Sequence, residues 1–256
     1  MGTIKHPVRV AGRLLWLAGE ITLAAASYLW RVWLRRDETL MGARTRWLQH
    51  GCRRVLRVLN AEVRSAGPIP SRGLLVSNHL SYLDILALSS LTPSIFVAKR
   101  EVKGWPIFGW FARLGGTLFA DRERRLSVGE VNRALHQALG QGALAVLFPE
   151  GTSSDGRAVL PFKSSLLEPA TDCDHPLFVS RIEYRLRDGD VGEEVCYWKD
   201  MTFVPHLLNL MSKQSIAVSV RFSEVRNRSL GRKELARQLH AEVAGLGALS
   251  AFALAR

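Results

Sequence analysis

The fold is decided by Gly73-Leu74-Leu75-Val76-Ser77-Asn78-His79-Leu80-Ser81-Tyr82-Leu83-Asp84. Its first five residues form an apolar run of strand length, and Ser81 to Leu91 reads as a helix that starts at a Ser cap. A buried strand turning straight into a helix is the unit of an α/β domain. His79 falls in the turn, and Asp84 falls in the first turns of the helix, where its carboxylate can fold back toward the imidazole. A carboxylate on one ring nitrogen fixes the tautomer and leaves the other nitrogen free to take a proton from a hydroxyl. Taken alone, the pair reads more readily as a capping histidine beside an unrelated surface aspartate.

The same alternation continues outward from this stretch. Strands are expected at Ala61–Ser65, Leu74–Ser77, Ile95–Ala98, Thr117–Phe119, Ala143–Phe148, Leu177–Tyr184, Glu194–Trp198 and Ile216–Phe222. Helices are expected at Ser81–Leu91, Lys103–Leu114, Ser127–Gln141, Ser164–Thr171, Pro205–Leu210 and Arg232–Ala244. Asp188-Gly189 reads as the turn pair of a hairpin. The Ala-rich tail from Leu246 extends the last helix or frays.

Two more stretches end apolar runs in chemistry-bearing residues. One is Gly115-Gly116-Thr117-Leu118-Phe119-Ala120-Asp121-Arg122, and the other is Phe148-Pro149-Glu150-Gly151-Thr152-Ser153-Ser154. A strand that opens into a Gly-Thr turn offers backbone N–H groups suited to an anionic oxygen.

In this order, H-x-x-x-x-D, G-T-L-F-A-D-R and F-P-E-G-T-S resemble the glycerolipid O-acyltransferase family, over roughly residues 60–222. The resemblance implies an α/β fold with a mixed sheet flanked by helices. It assigns His79 as the base and Asp84 as its orienter. It implies that Arg122 grips an acidic headgroup and that Glu150, Gly151 and Thr152 contact the acceptor. Lys99 and Lys163 match family lysines in A-K-x-E and P-F-K, and Asn78 braces the turn. Other readings of these residues stay open. Arg122 sits in the charged run 121–125, Glu150 can be a strand-end carboxylate held by Arg122 or Lys163, and both lysines read as ordinary solvated side chains.

The implied reaction is O-acyl transfer from acyl-CoA or acyl carrier protein to a lysolipid hydroxyl, with no cofactor and no metal. The absence of a G-x-S-x-G elbow fits direct attack without an acyl-enzyme. The first acceptor implied is 1-acylglycerol-3-phosphate, giving phosphatidic acid. Ser153 stands where many phosphate-using members carry arginine, and the block to Ser165 looks like a subgroup that includes lyso-ornithine-lipid acyltransferases. Lyso-ornithine lipid or another lysolipid is therefore the alternative acceptor. A lipid hydrolase or a non-catalytic membrane-binding module are alternatives of a different class.

The chain has 256 residues and a formal net charge of +12. Residues 1–64 hold twelve Lys/Arg against four Asp/Glu, so eight of the twelve net charges lie there, interleaved with Trp and Leu. Such a segment reads as membrane-surface material rather than a nucleic-acid arm. Zinc-finger spacing and RNA-recognition signatures are absent from the sequence. Leu14 to Trp30 is 17 mostly apolar residues, the lower limit for a spanning helix, and it contains Glu20. Ala24-Ala25-Ala26 fits a signal-peptide cleavage site, but the apolar pattern runs on to Leu34. His6 stands where myristoylation wants Ser or Thr.

Basic clusters on both sides of the stretch disfavour spanning. A second helix over Gly42–Leu59 carries a stripe of Leu48, Cys52, Val55, Leu56 and Leu59. The expectation is two helices, residues 1–59, dipping into an anionic membrane surface with Trp16, Trp30, Trp33 and Trp47 near the headgroups. The stripe can instead pack on the catalytic domain, residues 60–256. The expected location is the inner membrane, catalytic domain on the cytoplasmic face. Cys52, Cys173 and Cys196 are too scattered for a disulfide scaffold or zinc site.

Overall fold

The computed structural model describes residues 6–34, 39–105, 108–120, 125–171, 175–228 and 231–248. Two long helices come first, α1 (Pro7–Tyr28), continued by a wider turn over Leu29–Leu34, and α2 (Leu40–Val58). The α/β part then runs β1 (Ala61–Ala66), β2 (Gly73–Ser77), α3 (Leu83–Leu91), β3 (Ile95–Lys99), α4 (Phe108–Leu114), β4 (Leu118–Ala120) and α5 (Arg125–Gly140). It continues through β5 (Leu144–Leu147), α6 (Glu168–Thr171), β6 (Leu177–Leu186), α7 (Val191–Glu194), α8 (Phe203–Ser212), β7 (Ile216–Glu224) and α9 (Arg232–Ala248).

The seven strands form one mixed sheet in the order β1-β7-β6-β2-β5-β3-β4. The β6/β7 pair is antiparallel and every other pair is parallel. Every residue of β2 and β5 is buried, which is why both read as unbroken apolar runs. Alternation sorts their side chains into two cores. Leu75 and Val146 join Leu83, Ala87, Leu88, Leu210 and Met211 on the α3/α8 side. Leu74, Val76, Ala145 and Leu147 join Leu135, Leu139, Leu235 and Leu239 on the α5/α9 side. Gly73 has φ +92°, and a Cβ there would stand 2.2 Å from the Pro176 carbonyl, so only glycine lets β2 start beside β6. The carboxyl ends of β2 and β5, where ligands collect in such sheets, are thereby brought side by side.

Several expectations need correction. Glu194–Trp198 is not a strand: α7 ends at Glu194, and the following residues form a loop with Val195 and Cys196 fully buried. Asp188-Gly189 is not a hairpin turn, because β6 pairs instead with β7, with α7 and α8 between them. The Lys103–Leu114 helix is a short turn at Arg100–Gly104 followed by α4.

Trp47 does not face headgroups. It is 3% exposed, stacked on Phe111 at 5.4 Å, with its Nε1–H on the Ala24 carbonyl at 3.0 Å. The α2 stripe also turns inward, and Cys52, Leu56 and Leu59 belong to the α3/α8 core. By contrast, α1 and the wider turn after it leave Val8, Leu14, Leu15, Trp16, Leu23, Leu29 and Trp30 exposed. Pro7–Val32 is long and apolar enough to cross a membrane. Cys173, the Trp33 side chain and residues 249–256 lie outside the described residues.

Candidate active site

His79 lies in the turn between β2 and α3, and Asp84 is the second residue of α3. The imidazole Nδ1 is 2.7 Å from Asp84 Oδ2. Nδ1 therefore carries the proton and donates to the carboxylate, which leaves Nε2 with a lone pair. The ring stacks on Phe148 at 4.2 Å and stays 22% exposed, so it is held but reachable.

Asp84 is fully buried and accepts from four donors. Oδ2 takes His79 Nδ1–H, Leu80 N–H at 2.6 Å and Ser81 N–H at 3.0 Å, and Oδ1 takes the Tyr184 hydroxyl. Asp84 thus ties down the turn that leads into α3, whose N-cap residue Tyr82 makes no side-chain cap bond; the Ser81 hydroxyl, expected as the cap, is buried with no partner among the described residues. An acidic residue in the first helical turn also suits the positive end of the helix dipole.

The backbone of His79 is clamped from both sides. Its N–H donates to Glu150 Oε1 at 2.9 Å, and its carbonyl accepts from Ser154 N–H at 3.0 Å. Glu150 Oε2 accepts from Leu160 N–H at 3.2 Å. Glu150 spends both oxygens on backbone and is 2% exposed, so it braces the turn rather than projecting at a ligand. Burial raises its pKa from 4.5 to about 7, against the two amide hydrogen bonds, which lower it. Asn78 extends the sheet beyond the β2/β6 ladder. Its Oδ1 accepts from Ile182 N–H at 2.7 Å and its Nδ2 donates to the Ile182 carbonyl at 3.0 Å.

The other expected residues are placed unevenly. Gly151 is buried at φ +72°, its N–H on the Phe148 carbonyl, and Thr152 beside it is exposed. Lys99 ends β3 exposed, and Lys163 is exposed with its N–H on the Pro149 carbonyl. Arg122 lies outside the described residues. Ser153 donates its hydroxyl to the Tyr197 carbonyl, while Tyr197 N–H donates to the Leu80 carbonyl at 2.8 Å. The 196–198 loop is therefore stitched to both motif turns. No metal-holding group of His, Cys, Asp and Glu occurs among the described residues.

A second histidine is nearby but cannot act as a base. His206 Nε2–H donates to the Cys196 carbonyl at 3.1 Å, and Nδ1 accepts from the Tyr82 hydroxyl at 3.0 Å. Burial lowers its pKa to about 4. Tyr82 is in turn ringed by Phe108, Tyr197 and Phe203 at 5.2–5.9 Å.

The sequence matches the Acyltransferase family over residues 57–182, which contain both motif turns. It is 36% identical over 209 residues to the lyso-ornithine lipid O-acyltransferase of Rhizobium meliloti (strain 1021), covering 75% of this chain and 72% of that one. The chain belongs to the acyltransferase family.

It is also 33% identical to the Pseudomonas aeruginosa lyso-ornithine lipid O-acyltransferase, over 80% of this chain and 82% of that relative. To the 1-acyl-sn-glycerol-3-phosphate acyltransferase of Neisseria gonorrhoeae it is 35% identical, over 55% of this chain and 59% of that one. The fold is that of the Thermotoga maritima 1-acyl-sn-glycerophosphate acyltransferase PlsC, with a TM-score of 0.65, 21% identity and coverage of 94% and 95%. In this acyltransferase the sequence motifs supply the two ends of the His79–Asp84 pair. They do not reveal Tyr184, which lies 100 positions beyond Asp84 and reads as one more inward residue of an alternating strand. Its only sequence signal is that a buried tyrosine hydroxyl needs a partner.

Proposed function

We propose that this enzyme moves a fatty acyl group from a thioester, of CoA or an acyl carrier protein, to the free hydroxyl of a lysolipid at a membrane surface. The observation that carries the reading is the 2.7 Å contact between a partly exposed imidazole and a fully buried carboxylate. His79 Nε2 takes the hydroxyl proton as the oxygen attacks the thioester carbonyl. Asp84 steadies the imidazolium that forms. When the tetrahedral intermediate collapses, the C–S bond breaks and the imidazolium returns its proton to the departing sulfur. The turn Gly151-Thr152 and Lys99, Lys163 and Arg122 are assigned to the acceptor side. Asn78 and Glu150 hold the turn that carries the base.

Lyso-ornithine lipid is the acceptor favoured here. The Rhizobium and Pseudomonas relatives of that name match over 72% and 82% of their lengths. The position where many phosphate-using members carry arginine is Ser153, and its hydroxyl donates to the Tyr197 carbonyl. Lysophosphatidate is the second reading, supported by the 35% identity to the Neisseria relative.

Residues 1–59 are proposed to supply the membrane contact, with the catalytic part on the cytoplasmic face. The test is to incubate the full chain with labelled acyl thioesters and both lysolipids. Faster transfer to lyso-ornithine lipid supports the assignment, and faster transfer to lysophosphatidate reverses the acceptor. Release of free fatty acid alone would indicate a hydrolase, and His79→Ala retaining near-normal transfer would remove His79 as the base.

A further inference from the structure

We propose that Tyr184 is a positioning residue for acyl transfer, its hydroxyl holding the second oxygen of Asp84 and so setting how much negative charge Asp84 presents to His79. This rests on the reading of His79 as the base. Tyr184 lies on β6, beyond the last β2/β6 pair, with its main chain fixed by pairing to Val218 of β7. Two residues earlier, Ile182 is gripped by both polar atoms of Asn78. The same strand thus holds the turn before His79 and reaches the carboxylate behind it. Tyr184 is 6% exposed and its hydroxyl donates to Asp84 Oδ1. Among the described residues, Oδ1 has no other donor, whereas Oδ2 already has three.

A hydrogen bond to a carboxylate favours its charged form and makes it less basic. Losing the Tyr184 donor leaves a buried oxygen unpaired and concentrates charge toward the imidazole. The imidazolium is then held more tightly, and the base gives up its proton at higher pH. Burial and the Asp84 charge raise the Tyr184 pKa far above its ordinary value, so the hydroxyl stays protonated and donating. Among the described residues, the other titratable groups facing His79, Asp84 or Tyr184 are Glu150 from the turn after β5, Tyr82 before α3, and Cys196 after α7. Glu150 titrates at about 7, close enough to a histidine's range to blur a rate profile. The His79 titration is therefore best read directly.

The experiment compares the full-length wild type with Tyr184→Phe, which fills the same space without the hydroxyl. His79 imidazole nitrogens are titrated by NMR, and kcat and KM are measured against pH. The expected result is a His79 titration moved to higher pH and kcat reduced roughly 10- to 100-fold, the kinetic equivalent of one hydrogen bond to a charged group, with KM unchanged. On an Asp84→Asn background the same change should reduce kcat no further. Placing 3-fluorotyrosine at position 184, a stronger donor of nearly the same shape, should move the His79 titration to lower pH. This second variant decides the matter if Tyr184→Phe does not fold. An unmoved His79 titration would overturn the proposal whatever happens to kcat. If the wild type transfers acyl groups to no lysolipid, the proposed function fails while the titration still decides whether Tyr184 tunes the pair.

Discussion

Glu150 is the residue whose sequence context and structural place differ most. In the chain it is the third residue of a motif, which invites a ligand role. In the structure its two oxygens tie the His79 amide to the Leu160 amide. Glu150→Gln keeps the volume but offers one acceptor oxygen, so one of the two amides loses its partner. Transfer should fall about 10- to 100-fold, because one buried amide bond is worth ~1–3 kcal/mol when broken, with KM little changed. The pH dependence of stability has a definite sign. The folded pKa of about 7 exceeds the ordinary 4.5, so between those values the native state holds a proton that the unfolded state has lost. Glu150 therefore makes stability fall as pH rises through that window, and Glu150→Gln should flatten that part of the curve in urea titrations. A slope unchanged by the substitution would show that the carboxylate is not the group responsible.

At the scale of elements, local patterns were readable and long-range choices were not. β2 and β5 announce themselves because strands buried on both faces are apolar throughout. The run Val195-Cys196-Tyr197-Trp198 carries the same apolar signal yet forms a loop. Its burial comes from the aromatic group around Tyr82 and from bonds to Leu80 and Ser153, which no window of sequence contains. The His79–Asp84 pair was legible because five positions across one strand-helix turn bring both groups together, whereas Tyr184 arrives through sheet topology.

Arginine roles were the least legible. Arg13 donates to the carbonyls of Met211, Lys213 and Gln214 at 2.6–3.3 Å, and Arg9 to Ser212 at 2.7 Å. The two side chains close the carboxyl end of α8, where carbonyls lack partners and the helix dipole favours a cation. Arg13→Ala should cost about 1.5–3 kcal/mol, the worth of hydrogen bonds to a charged donor. It should also make α1 more readily cut by protease. Unaltered urea unfolding and proteolysis would mean that α1 is held by its other contacts.

For the whole molecule, those arginines change what the net charge does. Besides Arg9 and Arg13, Arg44 and Arg53 bind protein carbonyls and Arg54 pairs with Glu20. Fewer of the amino-terminal cations are therefore available to lipid phosphates than the sequence count implies. The apolar part is better placed. Val8, Leu15 and Leu29, with Trp16, Leu23 and Trp30, recur at multiples of seven along α1 and the turn that continues it, and are all exposed. Such spacing puts them in one stripe, opposite the buried Val10 and beside Arg9, whose side chain turns back to the Ser212 carbonyl.

Binding to anionic vesicles should weaken with salt, less steeply than twelve free cations would give, and should persist at high salt. Replacing Leu15 and Leu29 together by Glu should remove the salt-resistant part. Each buried leucine contributes at least ~1.5 kcal/mol, so partitioning should drop more than about 100-fold. Turnover of a short-chain lysolipid dispersed in water should stay near wild type, because neither residue touches the His79–Asp84 pair. Vesicle flotation read alongside this soluble assay separates the two effects. Flotation of Leu15→Glu/Leu29→Glu equal to wild type would show that the α1 stripe does not meet the lipid.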